Sequence, residues 1–352
     1  MIKMRPNPGL TFDDVLLVPK RSPIRSRGDV STTTMLSRHL AMNIPIISAN
    51  MDTVTEGRMA VAMARAGGIG IIHRFMSPER EAEEVRKAKR AESHIVESPR
   101  TIGCGATCRE ARTVMARHGI GGLVALDEGG FPAGILTTRD LEFAADDVDI
   151  CLVMTPAVRM ITAPAGTSIE DAQRILYQHR IEKLPLLHPD GRLAGLVTTK
   201  DIMRSLQHPH ATKDHKGRLR VGAAVGVQSG FLERAGLLLD AGADVLVVDI
   251  AHGHSDNAIN AVRELRREFG DIEIVAGNVA TGEGTRDLIE AGADAIKVGV
   301  GPGSICITRI VTGFGVPQLT AVAECVEAAA PYRVPIIADG GLQYSGDIAK
   351  AL

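Results

Sequence analysis

The sequence predicts an α/β protein built as a (β/α)8 TIM barrel that lacks its eighth unit, with a tandem repeat inserted after the second unit. Three observations predict it. Apolar, strand-like runs alternate with helical stretches seven times. Polar, chemistry-bearing residues collect at the C-terminal ends of those runs, the catalytic face of such a barrel. Between about residues 94 and 207 the alternation gives way to a repeat with a constant offset of 61.

The runs that read as strands are Ile44–Asn50, Gly68–His73, Val221–Gly226, Val245–Ile250, Ile272–Asn278, Ala295–Gly299 and Val334–Gly341. They are apolar on both faces, which marks strands of a parallel sheet covered by helices. Helical spacing follows each: Glu56–Ala66, a charged helix opened by Ser77-Pro78, Phe231–Ala241, Asn257–Phe269, a helix reaching Ala291, Gln318–Ala329, and one starting at Ser345. The Ser-Pro pair supplies an N-cap and a fixed first φ. The charged helix from Glu79 to Glu92 reads as a wet outer face. In a doubly wound sheet the polar residues would split around a switch point. Here Asn50, Asp52, Asp249, Asn278, Lys297, Ser304, Cys306 and Asp339 all follow or end strands. Lys297 lies in a buried strand, which points it toward a substrate.

The repeat aligns Gly134–Asp140 (GILTTRD) with Gly195–Asp201 (GLVTTKD), and His118-Gly-Ile120 with His179-Arg-Ile181. Each copy reads as strand, helix, strand, strand, helix. Paired units of this kind form a pseudo-symmetric cleft. The Thr-Thr-basic-Asp motifs suit ribose hydroxyls and phosphates, and equally suit ordinary helix capping. The predicted organisation is 1–93, first part of the barrel; 94–207, the tandem domain, with repeats at about 94–150 and 151–207; and 208–352, the rest of the barrel.

Composition narrows the function. A formal net charge of -2, no Trp and 3% aromatic residues argue against a nucleic-acid partner. No apolar run reaches membrane-spanning length and the N-terminus has no signal-like core, so no membrane partner is expected. Five widely spaced cysteines without a C-x-x-C pair argue against a disulfide framework or structural zinc, and place the protein in the reducing cytoplasm. Cys104 and Cys108 read as two small buried residues. His252 and His254, without a cluster around them, read against a metal site.

The chemistry centres on Gly299–Arg309 (GVGPGSICITR). Glycines at 299, 301 and 303 let the backbone approach a ligand and present N–H groups as an anion nest. A single thiol, Cys306, on a loop after a parallel strand is where a nucleophile is placed. Taken alone the loop reads more readily as a Gly-Pro turn with a buried cysteine. The strand pattern around it favours the nucleophile.

LTFDDVLLVP, ISANMDTVTE, GGIGIIHR, VVDIAHGHS, AGNVAT, GVGPGSICITR and IIADGGLQYSGDIAKAL occur in the order seen in inosine-5'-monophosphate (IMP) dehydrogenases. The tandem repeat resembles their CBS-pair (Bateman) insertion. The resemblance covers essentially the whole chain. It implies oxidation of IMP to XMP with NAD, the committed step to guanine nucleotides. Cys306 matches the nucleophile and Thr308 a hydroxyl near the hydrolytic water. Ser304, Gly340 and Gly341 match the phosphate site, and Asp339 the ribose acceptor. Asn278 and Met51 fall in the substrate-binding motifs. Asp249 matches the residue facing the NAD ribose, and Gly299, Val300 and Gly301 border the nicotinamide. The carbonyls of Gly301, Gly303 and Cys306 match those holding a monovalent cation, usually potassium. The resemblance further implies a homotetramer whose CBS pair binds adenine or guanine nucleotides.

The family's flap carries an Arg-Tyr pair, the arginine serving as general base. This sequence ends at Leu352, before that flap and before a second phosphate-binding turn, so the chain as given is expected to be truncated, and unstable or inactive in full turnover. Gln343 stands where a basic residue is more usual. The nearest rival is GMP reductase, which shares the cysteine loop but usually lacks the CBS insertion. A further rival is a catalytically dead nucleotide sensor.

Overall fold

The computed structural model describes residues 8–92, 95–97 and 99–352, the side chains of 204–206 excepted. The chain divides into two compact units. One takes in the chain up to Ala91, His210–Asp214 and Leu219–Leu352; the other is Glu92–Pro209 with His215–Arg218.

The first unit alternates β1 (Ile47–Ser48), α1 (Gly57–Arg65), β2 (Ile69–Ile72), α2 (Pro78–Ala91), β3 (Val221–Val225), α3 (Phe231–Asp240), β4 (Val245–Asp249), α4 (Asp256–Phe269), β5 (Ile274–Val279), α5 (Gly282–Ala291), β6 (Ala295–Val298), α6 (Gln318–Ala329), β7 (Ile336–Ala338) and α7 (Ser345–Ala351). All seven strands form one sheet in chain order, every neighbouring pair parallel. The order never reverses, so the sheet has no switch point of the doubly wound kind. β1 is shorter than its apolar run, because Pro45 lacks a ladder donor and the recorded pairing is Ile47 and Ser48 with Ile69 and Gly70.

Side chains alternate along each strand and build two cores. Outward residues such as Ile72, Ala223, Leu246, Ala276 and Ile296 pack with helix residues including Leu238, Val262 and Leu288. Inward residues Ile69, Ile71, Ala224, Val245, Val247, Val275 and Ala295 form the second core, with Ile47 of β1 and Ile337 of β7 packed against it. Seven flat strands at about 4.8 Å spacing would hold those two edge residues about 29 Å apart. The sheet is therefore curled, with helices outside, in a TIM-barrel-like α/β arrangement. A cavity of ≈ 300 Å³ lies inside the curl, lined by Ile47, Val247, Val275, Lys297, Ile337 and Asp339 among others.

One expectation is corrected. Helix α2 is not a wet outer face: Glu81, Glu84 and Lys89 are buried. The partners of Glu81 and Lys89 come from distant parts of the chain. Glu81 pairs with Arg234. Lys89 Nζ meets Asp214 at 3.0 Å, Asp244 at 2.9 Å and the Leu219 carbonyl at 3.1 Å. That cluster also explains why the return at residues 208–218 is split. Asp214 and Thr212, whose hydroxyl donates to the Gly67 carbonyl at 2.6 Å, belong with the sheet, whereas Lys216 pairs with Glu97 of the other unit at 2.7 Å.

In the second unit the offset of 61 survives as hydrogen-bond register. Gly122↔Thr137 through Ala125↔Gly134 is reproduced by Lys183↔Thr198 through Leu186↔Gly195, and both ladders shift register after that pair. The parallel pairs Ile102↔Ala125 and Ala163↔Leu186 match as well. Each repeat has its own core, around Leu123 and Leu136 in one and Leu184 and Val197 in the other.

Candidate functional site

The site is built at the C-terminal ends of the curled sheet. Asp249 ends β4, Asn278 lies near the end of β5, Lys297 in β6, and Asp339 follows β7. In register, Asp249 sits beside Gly277, and Gly277 beside Lys297. A Cβ on Gly277 would stand 2.5 Å from the Lys297 carbonyl and 2.8 Å from its Cβ. Glycine there leaves a window through which the lysine turns toward both flanking carboxylates.

Lys297 Nζ lies 2.7 Å from Asp339 Oδ2 and 3.9 Å from Asp249 Oδ1. Asn278 Nδ2 donates to the same Asp339 oxygen and to the Gly299 carbonyl, each at 2.8 Å. Burial works against ionising Asp339, but Lys297 and Asn278 outweigh it and hold the carboxyl below its ordinary range. Asp249 does not cap the next helix; Ser255 does. Instead Asp249 Oδ2 faces Arg74 Nε at 3.4 Å.

The glycine loop is lodged against the end of β7. Gly340 and Gly341 have φ of +84° and +80°, a turn that other residues adopt only with strain. A Cβ on Gly340 would lie 3.0 Å from the Gly303 nitrogen, and one on Gly341 3.3 Å from Pro302 Cβ. The loop carrying Ser304 and the turn matched to the phosphate site are therefore in close approach. Ser304 and Cys306 are exposed. Cys306 Sγ is 3.2 Å from Thr308 Oγ1, where the short helix Thr308–Thr312 begins. Hydrogen bonding from Thr308, side chain first and then backbone, lowers the Cys306 thiol below its usual range, with Arg309 adding to it. This is the condition for a reactive thiolate.

The predicted residues thus fall into two groups. Asp249, Asn278, Gly299 and Asp339 are linked directly or through Lys297. Gly303, Gly340 and Gly341 pack together, with Gly301, Ser304, Cys306 and Thr308 on the same loop. Met51 stands apart at the end of β1, the far edge in strand order, and is 39% exposed. Sequence reasoning missed Arg74, Arg309 and Gln318. Arg309 holds the loop through the Val316 carbonyl at 2.6 Å and the Val300 carbonyl at 3.4 Å. Gln318, buried at 2% exposure, donates to the Val298 carbonyl at 2.8 Å and the Asp339 carbonyl at 3.2 Å. A glutamine at the first position of α6, directly after Pro317, was the available signal.

The two Thr-Thr-basic-Asp motifs do cap helices. The Thr137 N–H and hydroxyl both meet Asp140 Oδ2 at 2.7 Å, and the Thr198 hydroxyl meets Asp201 Oδ2 at 2.5 Å. His254 pairs with Asp287 at 2.8 Å, and among the described residues no His, Cys, Asp and Glu cluster could hold a metal ion. No described helix is long and apolar enough to cross a membrane.

Residues 9–352 match the model of the IMP dehydrogenase / GMP reductase domain. The chain is 55% identical to an inosine-5'-monophosphate dehydrogenase from Nitrosopumilus maritimus, over 98% of this chain and 72% of that protein. It is 52% identical to one from Halalkalibacterium halodurans, over 98% and 71%. Among solved structures, a GMP reductase from Trypanosoma brucei with guanosine 5'-monophosphate superposes with a TM-score of 0.87 at 47% identity, over 98% of this chain and 74% of that one. The same reductase with guanosine 5'-triphosphate gives 0.86, over 98% and 84%. That reductase matches over 98% of this chain, the inserted repeat included, so the insertion alone does not separate the two activities. Family match and identity together place this chain in the IMP dehydrogenase / GMP reductase family.

Proposed function

We propose that the chain oxidises IMP to XMP with NAD through a covalent thioimidate on Cys306. One observation carries the chemistry: an exposed thiol, lowered by Thr308, on a loop packed against the turn that follows Asp339. Cys306 Sγ adds to the electron-poor C2 of the purine, and the C2 hydrogen leaves as hydride. NAD supplies the acceptor for that hydride. Water then adds to C2, the C–S bond breaks, and the thiol is restored. Thr308, beside the sulfur, is placed to orient that water.

Asp339 accepts from the IMP ribose, while Ser304 and the N–H groups of Gly340 and Gly341 hold its phosphate. Met51 and Asn278 flank the substrate. Asp249 faces the NAD ribose, with Gly299, Val300 and Gly301 against the nicotinamide. The carbonyls of Gly301, Gly303 and Cys306 would hold a potassium ion. Neutral oxygens suit a monovalent cation, and the Cys306 N–H already ties to the Gly303 carbonyl at 3.0 Å, so such an ion would brace the nucleophile's own turn.

The inserted unit is read as a CBS pair for adenine or guanine nucleotides. Two clefts support this. One of ≈ 610 Å³ is lined by Thr137, Asp140, Arg159 and Lys183; the other, of ≈ 800 Å³, by Arg100, His118, Thr198, Lys200 and Asp201. The cap bonds recorded for Asp140 and Asp201 use Oδ2 alone, which leaves Oδ1 for a ribose hydroxyl. The full assembly is read as a cytoplasmic homotetramer.

The test is rapid mixing with IMP and NAD, which should give a burst of NADH stoichiometric with protein. GMP reductase is the second reading, favoured by the 47% identity to the trypanosomal enzyme. NADPH consumption with GMP, and no NADH from IMP, would establish it instead.

A further inference from the structure

Cys104 and Cys151 lie 47 positions apart in the chain but meet in the second unit. Cys104 follows the strand Thr101–Gly103, and its N–H donates to the Leu126 carbonyl at 2.8 Å. Cys151 lies in the short turn Ile150–Leu152, anchored by fully buried Ile150. The two segments are tied by the antiparallel bridge Thr107↔Asp149, by the Ile150 N–H to the Ala106 carbonyl at 3.0 Å, and by the Cys108 N–H to the Val148 carbonyl at 2.8 Å. Across this tie Cys151 Sγ lies 2.8 Å from the carbonyl oxygen of Cys104. Cys104 is half-buried and Cys151 exposed, whereas Cys108 and Cys325 are buried.

We propose that Cys104 and Cys151 are a modification site, a dithiol that closes to a disulfide when a hydroperoxide reaches it. A sulfur held 2.8 Å from the other cysteine's own carbonyl oxygen sets the two residues side by side, the first requirement for a disulfide. Burial, Asp149 and the Cys104 thiol push Cys151 up to about 11, so the first attack falls to Cys104. Its sulfur attacks one peroxide oxygen and the O–O bond breaks. Cys104 is oxidised to a sulfenic acid, and the peroxide's other oxygen leaves as hydroxide, which is protonated to water. Cys151 sulfur then attacks Cys104 sulfur. The S–S bond forms, the S–O bond breaks, and the hydroxyl leaves as water with the Cys151 proton. A small-molecule thiol reverses it by exchange.

The pair is not a by-product of the repeat. At an offset of 61, Ala165 stands at the place of Cys104. Ala165 keeps the matching bond to the Leu187 carbonyl at 2.7 Å. The backbone bond is shared there, but the second repeat carries no thiol at that place.

The experiment treats the folded full chain with hydrogen peroxide, blocks free thiols by alkylation, and maps peptides by mass spectrometry. The expected result is a peptide linking Cys104 to Cys151, lighter by two hydrogens than its parts, lost on reduction. In Cys151→Ser the link vanishes and Cys104 carries added oxygen. Recovery of Cys104 and Cys151 as free or singly oxidised thiols while Cys306 is oxidised would overturn the proposal. So would a Cys104–Cys108 link in its place.

Discussion

Lys297 donates to Asp339 across neighbouring strands at 2.7 Å, while Asp249 stands 3.9 Å from the same ammonium. One cation thus serves the carboxylates assigned to the two ligands. Replacing Lys297 by Met leaves half-buried Asp339 without its counter-charge. Loss of a charged hydrogen bond is worth about 1.5–3 kcal/mol, so kcat/KM for IMP should fall about 10- to 100-fold. Lys297→Arg should recover part of it. Separate KM values for IMP and NAD check the bridging role, since both should rise in Lys297→Met.

Thr308 Oγ1 lies 3.2 Å from the Cys306 sulfur. Its hydrogen bonds lower the thiol, so thiolate persists to lower pH than for an ordinary cysteine. Thr308→Val should move the pH curve of Cys306 alkylation upward and slow alkylation at neutral pH. Iodoacetamide kinetics across pH, followed at the Cys306 peptide, check this. An unmoved curve would mean that Thr308 does not stabilise the thiolate.

Glu81 makes stability depend on pH. Burial outweighs Arg234 and raises this carboxyl from 4.5 to about 8. The folded state then holds a proton that the unfolded state releases, so its contribution is fully present below about 4.5 and is lost as pH rises toward 8. Relative to wild type, Glu81→Gln should gain stability between pH 5 and pH 8 (approximate bounds from the same linkage). Denaturant midpoints at both ends check the sign; parallel curves would mean that Glu81 stays ionised in its pair with Arg234.

The buried Lys89 cluster ties α2 to Asp214 and Asp244 within the sheet unit. Lys89→Met removes the cation facing Asp214 and Asp244. Breaking a buried pair in this way costs about 3–5 kcal/mol. Urea unfolding of the variant against wild type measures it.

Much of this was legible in the sequence because parallel strands covered on both faces read as unbroken apolar runs. Val245–Asp249 and Ala295–Val298 emerge nearly at their predicted limits. The repeat was legible because its offset is constant, and the hydrogen-bond register keeps it. What stayed hidden depends on contacts across long chain separations. Nothing near Glu81 or Lys89 announces Arg234 or Asp244, so α2 read as solvated. Nothing near Asp249 in the chain announces Arg74 or Lys297, which face it. Cys104 and Cys151, read separately, gave no sign of meeting.

The central claim is that Cys306 bonds to the purine. Intact-protein mass spectrometry on acid-quenched mixtures of the chain with IMP and NAD, beside Cys306→Ala, tests it most directly. The expected result is a nucleotide adduct on wild type that maps to Cys306 and is absent from the variant. A folded wild-type chain that produces NADH yet shows no adduct, or an adduct that survives in Cys306→Ala, would contradict it.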